Sequence, residues 1–191
     1  MKKIVIRRSP IQGLGMFAVG QTHVGEAVFA ARSFKSGEVV TKFKGPRIHE
    51  SKVPKQYVGK NDRYMQIERD YYLGPSGGVD DIINHSCNPN TGLKFTPTGI
   101  LLVAIRNIKP GDEITWDYSS TLLGSSWKMK CDCRENNCRK IIGDFTLLDK
   151  RIQQKYLCLG IVPKHIKDYM ENSEHTVYTK TMRSLKHAQV A

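Results

Sequence analysis

Before about residue 144 the apolar positions come in short clusters and never settle into the three-and-four spacing of a helix. Ile4-Val5-Ile6, Glu26–Ala31, Val39–Phe43, Tyr64–Ile67, Leu101–Ile105 and Glu113–Trp116 are rich in β-branched and aromatic residues, with Gly, Pro, Asp or Asn nearby. That pattern predicts short strands joined by turns. From Asp144 the period changes. Leu147, Leu148, Ile152, Tyr156 and Leu159 recur at helical spacing, which predicts a helix over 147–159 ended at Gly160. A second helix is predicted over 165–170, led by Pro163. The last twenty residues are polar and basic, compatible with either a tail helix or a disordered segment. The expectation is a mostly β domain of several small sheets, followed by short C-terminal helices.

One local repeat interrupts this order. Gly13-Leu14-Gly15-Met16-Phe17-Ala18 and Gly25-Glu26-Ala27-Val28-Phe29-Ala30 lie twelve residues apart and share the pattern Gly, any, small, apolar, Phe, Ala.

Length and composition narrow the class. A chain of 191 residues suits one main domain with appendages. No apolar run approaches the roughly 18 residues of a membrane span, and the basic start Met1-Lys2-Lys3 leads into only three apolar residues before Arg7-Arg8, unlike a signal peptide. Cytoplasm is therefore the default location, with the chain's own or a host nucleus as the other destination. Net charge is +12, unevenly spread: residues 1–60 carry 12 basic against 3 acidic side chains, residues 61–118 carry 5 against 8, and residues 119–191 carry 13 against 7. Basic ends suit nucleic acid or an acidic protein surface, and an acidic middle suits a cationic substrate segment; ordinary solvated charge is the plainer account.

The five cysteines are Cys87, Cys131, Cys133, Cys138 and Cys158. Three of them form a CxCx4C cluster. That spacing favours metal binding over disulfides, and a structural zinc site needs a fourth ligand from elsewhere. Cys158, at helical spacing, reads as a small core residue.

Two polar stretches carry the remaining chemistry. Asn84-His85-Ser86-Cys87-Asn88-Pro89-Asn90 reads by itself as a tight polar loop. About 25 residues later, Gly111-Asp112-Glu113-Ile114-Thr115-Trp116-Asp117-Tyr118 reads as a turn feeding a strand. Together they resemble the paired signature of SET-domain lysine methyltransferases. Gly-x-Gly-x-Phe-Ala at Gly13–Ala18, Lys35-Ser36-Gly37-Glu38-Val39-Val40 and Tyr64-Met65-Gln66-Ile67 follow the family's order upstream.

The resemblance implies a SET domain over 1–120 with a pseudoknot-like threading of the Asn84 segment beside the Tyr118 strand. It implies a post-SET zinc-binding flap over 121–143 and leaves 144–191 as a helical extension. Transfer of a methyl group from S-adenosylmethionine to a lysine of a protein substrate is the implied activity, with histones or nucleic-acid-associated proteins as candidate substrates and no membrane partner. Tyr118 is implied as the catalytic tyrosine, and Tyr64 as a second aromatic lining the lysine channel, although a core strand aromatic explains Tyr64 equally well. Asn84, His85 and Tyr118 are implied to hold the cofactor, together with the glycine element. For that element Gly13, Leu14 and Gly15 carry the glycine pair, whereas Gly25-Glu26-Ala27 has the right distance to Lys35-Ser36-Gly37-Glu38; the methyl of Ala27, where clearance is needed, favours the first copy. The zinc ligands implied are Cys87, Cys131, Cys133 and Cys138. Two departures stand out: Asp80-Asp81-Ile82-Ile83, preceding the Asn-His motif where many relatives carry an arginine and an aromatic, and Phe43 where relatives commonly have a tyrosine. A zinc-dependent binding module that holds nucleic acid or acidic protein surfaces without catalysis is the competing class.

Overall fold

The computed structural model describes residues 3–8, 26–54 and 63–173. Within them the chain forms β1 (Ile4–Arg8), β2 (Glu26–Ala30), β3 (Val39–Phe43), β4 (Arg47–His49), β5 (Met65–Glu68), β6 (Tyr71–Leu73), β7 (Asn84–His85), β8 (Thr91–Thr96), β9 (Gly99–Ala104), β10 (Thr115–Trp116), β11 (Met129–Lys130) and β12 (Ile141–Ile142), then the helices α1 (Lys150–Leu159) and α2 (164–173). These strands make five small sheets: β1-β2, β3-β9-β8, β4-β6-β5, β7-β10 and β11-β12. All pairings are antiparallel except β7 with β10. Each predicted strand cluster contains a strand. Strands β4, β6, β7, β8, β11 and β12 had no comparable signal, because runs of two to six residues are too short to show a period.

One core unites the first sheets. Val28, Phe34, Val40, Phe43, Met65, Leu93, Leu102, Ile108, Ile114 and Trp116 are buried together. A second cluster of Phe145, Leu148, Tyr156, Ile161, Val162 and Ile166 belongs to the C-terminal segment and packs against Ile105 and Leu123 of the β domain. Contact there is close enough to demand glycine at position 92, where an added Cβ would lie 2.7 Å from Ile161 Cδ1.

The first helix starts later than its periodicity predicts. Phe145–Leu147 is a 3₁₀ turn capped by Asp144, Leu148 is extended, and Asp149 caps α1 by accepting from the Arg151 N–H at 2.8 Å. Two cap residues five positions apart divide the stretch into a 3₁₀ turn and a helix. The buried carboxamide of Gln153 donates to the carbonyls of Phe145, Thr146 and Leu148 at 3.0–3.2 Å, satisfying the groups that the break releases. Gly160 ends α1 in the left-handed conformation, φ 64°. Among the described residues no helix is long and apolar enough to cross a membrane.

His165 at the start of α2 has both ring nitrogens buried without a hydrogen-bond partner among the described residues. Burial lowers its pKa below the ordinary histidine value, against weaker opposing pulls from the Thr121 and Ile67 backbones. The unfolded chain therefore takes up this proton first as pH falls. The contribution of a neutral His165 to stability is complete above about pH 6.5 and is lost as pH drops through the lower folded-state value. Urea unfolding at about pH 7.5 and about pH 5.5 checks this: His165→Leu is expected to lose less stability than the parent across that interval, and equal losses would dismiss the assignment.

Candidate active site and metal centre

Parallel pairing of β7 with β10 sets Asn84 against Thr115 and His85 against Trp116. Side chains extend this two-residue ladder. Asn90 donates from Nδ2 to the Glu113 carbonyl at 2.7 Å and accepts from the Thr115 N–H at 3.0 Å, and the Thr91 hydroxyl donates to the Thr115 carbonyl at 2.7 Å. The Ser86 N–H reaches the Trp116 carbonyl at 3.1 Å. Two polar stretches that look like separate loops are thus one unit, and β10 leads through Asp117 into the 3₁₀ turn that opens at Tyr118.

The Tyr118 hydroxyl donates to the Ile83 carbonyl at 2.9 Å, and its ring lies 4.8 Å from Trp116 and 5.3 Å from His85. The Tyr118 N–H donates to His85 Nδ1 at 3.2 Å. His85 is 1% exposed, and burial lowers its pKa to about 4 despite the opposing charge of Asp117. The imidazole is therefore neutral, with its proton on Nε2 and directed at Cys87 Sγ, 3.3 Å away. His85 thus spends its side chain on Tyr118 and Cys87, and any cofactor contact it makes falls to its backbone.

Asp117 is the most heavily bonded side chain nearby. It takes two hydrogen bonds from Arg139 at 2.7 and 2.9 Å and one from the Tyr156 hydroxyl at 3.0 Å. Burial works against the charge on Arg139, but these bonds to Asp117 raise its pKa. The residue before the candidate catalytic tyrosine is thereby tied to the cysteine segment and to α1. Tyr156 read only as part of a helical period and Arg139 carried no signal, since their shared partner Asp117 is 39 and 22 residues away.

Tyr118 and Tyr64 line one cleft of about 760 Å³ including its open mouth, together with Phe43, Tyr72, Ile83, Trp116 and Trp127. Trp127 and Tyr72 escaped the motif reading because neither stands in a quoted signature. Phe43 is buried edge-on to Trp116, ring centroids 5.9 Å apart. The departures Asp80 and Asp81 also line the cleft while bracing its wall. Asp80 accepts from the Lys44 N–H and the Ser76 hydroxyl, each at 2.8 Å, and Asp81 from the Ser76 and Gly77 N–H groups at 3.0 and 2.7 Å.

Asn84 Nδ2 lies 2.8 Å from Glu113 Oε1 and 3.4 Å from the Glu26 carbonyl. The second copy of the repeat therefore enters β2 beside Asn84, paired with β1 so that Phe29 opposes Val5. Gly13, Leu14 and Gly15, preferred for the cofactor on sequence grounds, lie outside the described residues, as does Gly25.

The sulfur atoms of Cys87, Cys131, Cys133 and Cys138 all lie within 4.8 Å of one another, and those of Cys87 and Cys131 are 3.8 Å apart. Four thiolates about 2.3 Å from a tetrahedral zinc ion stand about 3.8 Å from each other, so the set fits this ion. Burial pushes the Cys87 thiol up to about 11 and raises Cys131 further, a cost that a coordinated cation reverses. The backbone closes around the group: the Cys131 N–H donates to the Lys140 carbonyl at 2.8 Å, and Asn137 Nδ2 to the Cys87 carbonyl at 3.0 Å. Cys158, expected in the core, is exposed on α1, since that helix buries Gln153 and Tyr156 instead.

Residues 25–119 match the family model described as SET domain, and the chain belongs to the SET-domain family. The match opens at Gly25, so it takes in the second glycine-led copy and leaves the first outside. The chain is 32% identical over 148 residues to the histone-lysine N-methyltransferase trr of Drosophila melanogaster, covering 72% of this chain but 6% of the relative. It is 29% identical over 133 residues to the histone-lysine N-methyltransferase ASHR3 of Arabidopsis thaliana, covering 63% of this chain and 26% of that one. The chain thus spans only a small part of the relatives it matches. Two solved structures show the same fold: KRYPTONITE in complex with mCHH DNA, H3(1-15) peptide and SAH (TM-score 0.52, 23% identity, 64% of this chain and 28% of that one), and Arabidopsis thaliana SUVH6 in complex with SAM (TM-score 0.53, 19% identity, 63% and 31%).

Proposed function

We propose that the chain is a protein-lysine N-methyltransferase that uses S-adenosylmethionine, with a structural zinc ion on its four clustered cysteines. The observation that carries this reading is the Tyr118 hydroxyl, fixed to the Ile83 carbonyl in an aromatic cleft next to the Asn84-His85 segment. Names of the relatives and the SAH and SAM complexes of the structural neighbours support it.

S-adenosylmethionine, when bound, supplies an activated methyl group on a cationic sulfonium. The chain's own task is then alignment and exclusion of water. Asn84 and the backbone of His85 would hold the cofactor. The donor set fits, since Asn84 Nδ2 is engaged by Glu113 and Glu26 while no hydrogen bond is seen at its Oδ1 among the described residues. Phe43, Tyr64, Tyr72, Trp116 and Trp127 surround the aliphatic stem of a substrate lysine, and the desolvation they impose favours its neutral amine. With its O–H donated in a hydrogen bond to the Ile83 carbonyl, the Tyr118 oxygen turns a lone pair toward an incoming N–H and orients the amine without acting as a base. The substrate class is a lysine-bearing protein segment, with histones and nucleic-acid-associated proteins foremost; basic ends of +9 and +6 favour docking on an acidic or nucleic-acid-bound assembly.

Transfer of labelled methyl to a panel of basic proteins, with Tyr118→Phe as control, tests the proposal. Saturable nucleic-acid binding without labelling would favour the non-catalytic module instead. Phe43 sets a second expectation: Phe43→Tyr adds a hydroxyl beside Trp116 in the cleft and is expected to shift products toward fewer methyl groups, because that oxygen takes room and holds the amine. Mass spectrometry of mono-, di- and trimethyl products checks it, and identical distributions reject it.

A further inference from the structure

Tyr156 lies on α1, beyond residue 119 where the match to the SET domain model ends. It is 2% exposed, and packing accounts for its ring, which belongs to the second core cluster with Phe145, Leu148 and Ile166. Packing does not account for its hydroxyl, since a phenylalanine fills the same space. That hydroxyl donates to Asp117 Oδ2 at 3.0 Å.

Asp117 is buried, and a buried carboxylate is tolerated where its lone pairs are met. Four donors meet them. Oδ1 accepts from Arg139 Nη2 at 2.7 Å and from the Ser119 N–H at 3.1 Å, while Oδ2 accepts from Arg139 Nη1 at 2.9 Å and from Tyr156. The bond to Ser119 makes Asp117 the N-cap of the 3₁₀ turn Tyr118–Ser120. The pose of this one carboxylate therefore sets how the turn leaves β10, and with it the direction of the Tyr118 side chain. Arg139 grips both oxygens from the cysteine segment, and Tyr156 holds one of them from α1. The C-terminal segment also supports the chain just past the turn: the Phe145 N–H donates to the Leu122 carbonyl at 2.8 Å, and Leu123 packs against the cluster that contains Tyr156. Thr121 and Leu122 line the cleft.

Resting on the methyltransferase reading, we infer that Tyr156 is a positioning residue for methyl transfer: its hydroxyl fixes Asp117 as the cap of the turn that opens at Tyr118, so that α1 sets the aim of the Tyr118 hydroxyl. Tyr156 itself acts through Asp117.

The test measures, on the full zinc-loaded chain, single-turnover transfer of labelled methyl at saturating S-adenosylmethionine to the basic protein that the parent labels best. Tyr156→Phe keeps the ring in the core and leaves Asp117 three donors, so the variant folds. It is expected to transfer roughly tenfold more slowly, the scale of one hydrogen bond to a charged group. KM for the protein substrate and the dissociation constant of S-adenosylhomocysteine should stay within about twofold of the parent values, as for an interaction that serves only the transition state. Hydrogen exchange should quicken at the Tyr118 and Ser119 amides while those of β8 and β9 stay protected. Replacing Tyr156 by 4-aminophenylalanine, which restores an N–H donor on the same ring, should return most of the rate. Gln153→Ala weakens the same core cluster without touching Asp117, and is expected to lower the melting temperature while keeping the parent rate. A parent-like rate in Tyr156→Phe overturns the inference, as do a restored donor that returns nothing and equal slowing by Gln153→Ala. Should a parent that binds S-adenosylhomocysteine label none of the proteins offered, the exchange data decide: unchanged protection of the Tyr118 and Ser119 amides in Tyr156→Phe sinks the inference. A parent that neither labels a protein nor binds S-adenosylhomocysteine overturns the methyltransferase reading itself.

Discussion

Tyr118→Phe is expected to lower methyl transfer by about 10²–10³-fold while leaving cofactor binding nearly intact. The phenylalanine ring keeps the packing against Trp116 and His85, and the Tyr118 N–H still reaches His85 Nδ1. Only the hydroxyl goes. With it goes the bond to Ile83 and the lone pair that orients the amine. The loss leaves one carbonyl without its partner, a cost of about 1–3 kcal/mol if it stays dry, which a folded domain survives. Single-turnover labelling at saturating S-adenosylmethionine, paired with the dissociation constant of S-adenosylhomocysteine, separates the two effects. Transfer at more than about a tenth of the parent rate would remove Tyr118 from the reaction centre.

Cys87→Ser is expected to abolish stoichiometric zinc, taking the segment 127–142 with it. Cys87 alone among the four ligands comes from the β domain, so it fastens the cysteine segment to the site. Binding of a structural zinc ion is worth on the order of 10 kcal/mol, comparable to the whole stability of a small domain. Its loss therefore frees the β11-β12 hairpin and loosens Arg139, which holds Asp117 next to Tyr118. Elemental analysis should find one zinc per parent chain and far less in the variant. Hydrogen exchange should show the hairpin amides unprotected, and methyl transfer should fall along with them. Full zinc occupancy in Cys87→Ser would refute its part in the site.

Several site residues were legible because their chemistry is local in sequence. CxCx4C announces a metal cluster through spacing alone, and Gly160 marks the end of α1. Other features needed the fold. Asp144 and Asp149 together divide the predicted helix, because two competing caps and the Gln153 bonds outweigh a shared hydrophobic period. Cys158 turned outward because apolar spacing on a short helix leaves its burial to the neighbouring surface.

By itself, then, the sequence determined the strand-rich β domain, the change to helices after residue 144, the cysteine cluster, and the two polar stretches carrying Asn84 and Tyr118. Short-range patterning and spacing suffice for these, since each is a property of neighbours along the chain. Tertiary structure alone decided that β7 and β10 run in parallel, that Arg139 and Tyr156 converge on Asp117, that Trp127 closes on the same cleft as Tyr118, and that Glu113 faces Asn84. Those contacts join residues from 22 to 39 positions apart or more, or unite segments with no periodic signal. Nothing local favours such pairs until the core has fixed the backbones that carry them.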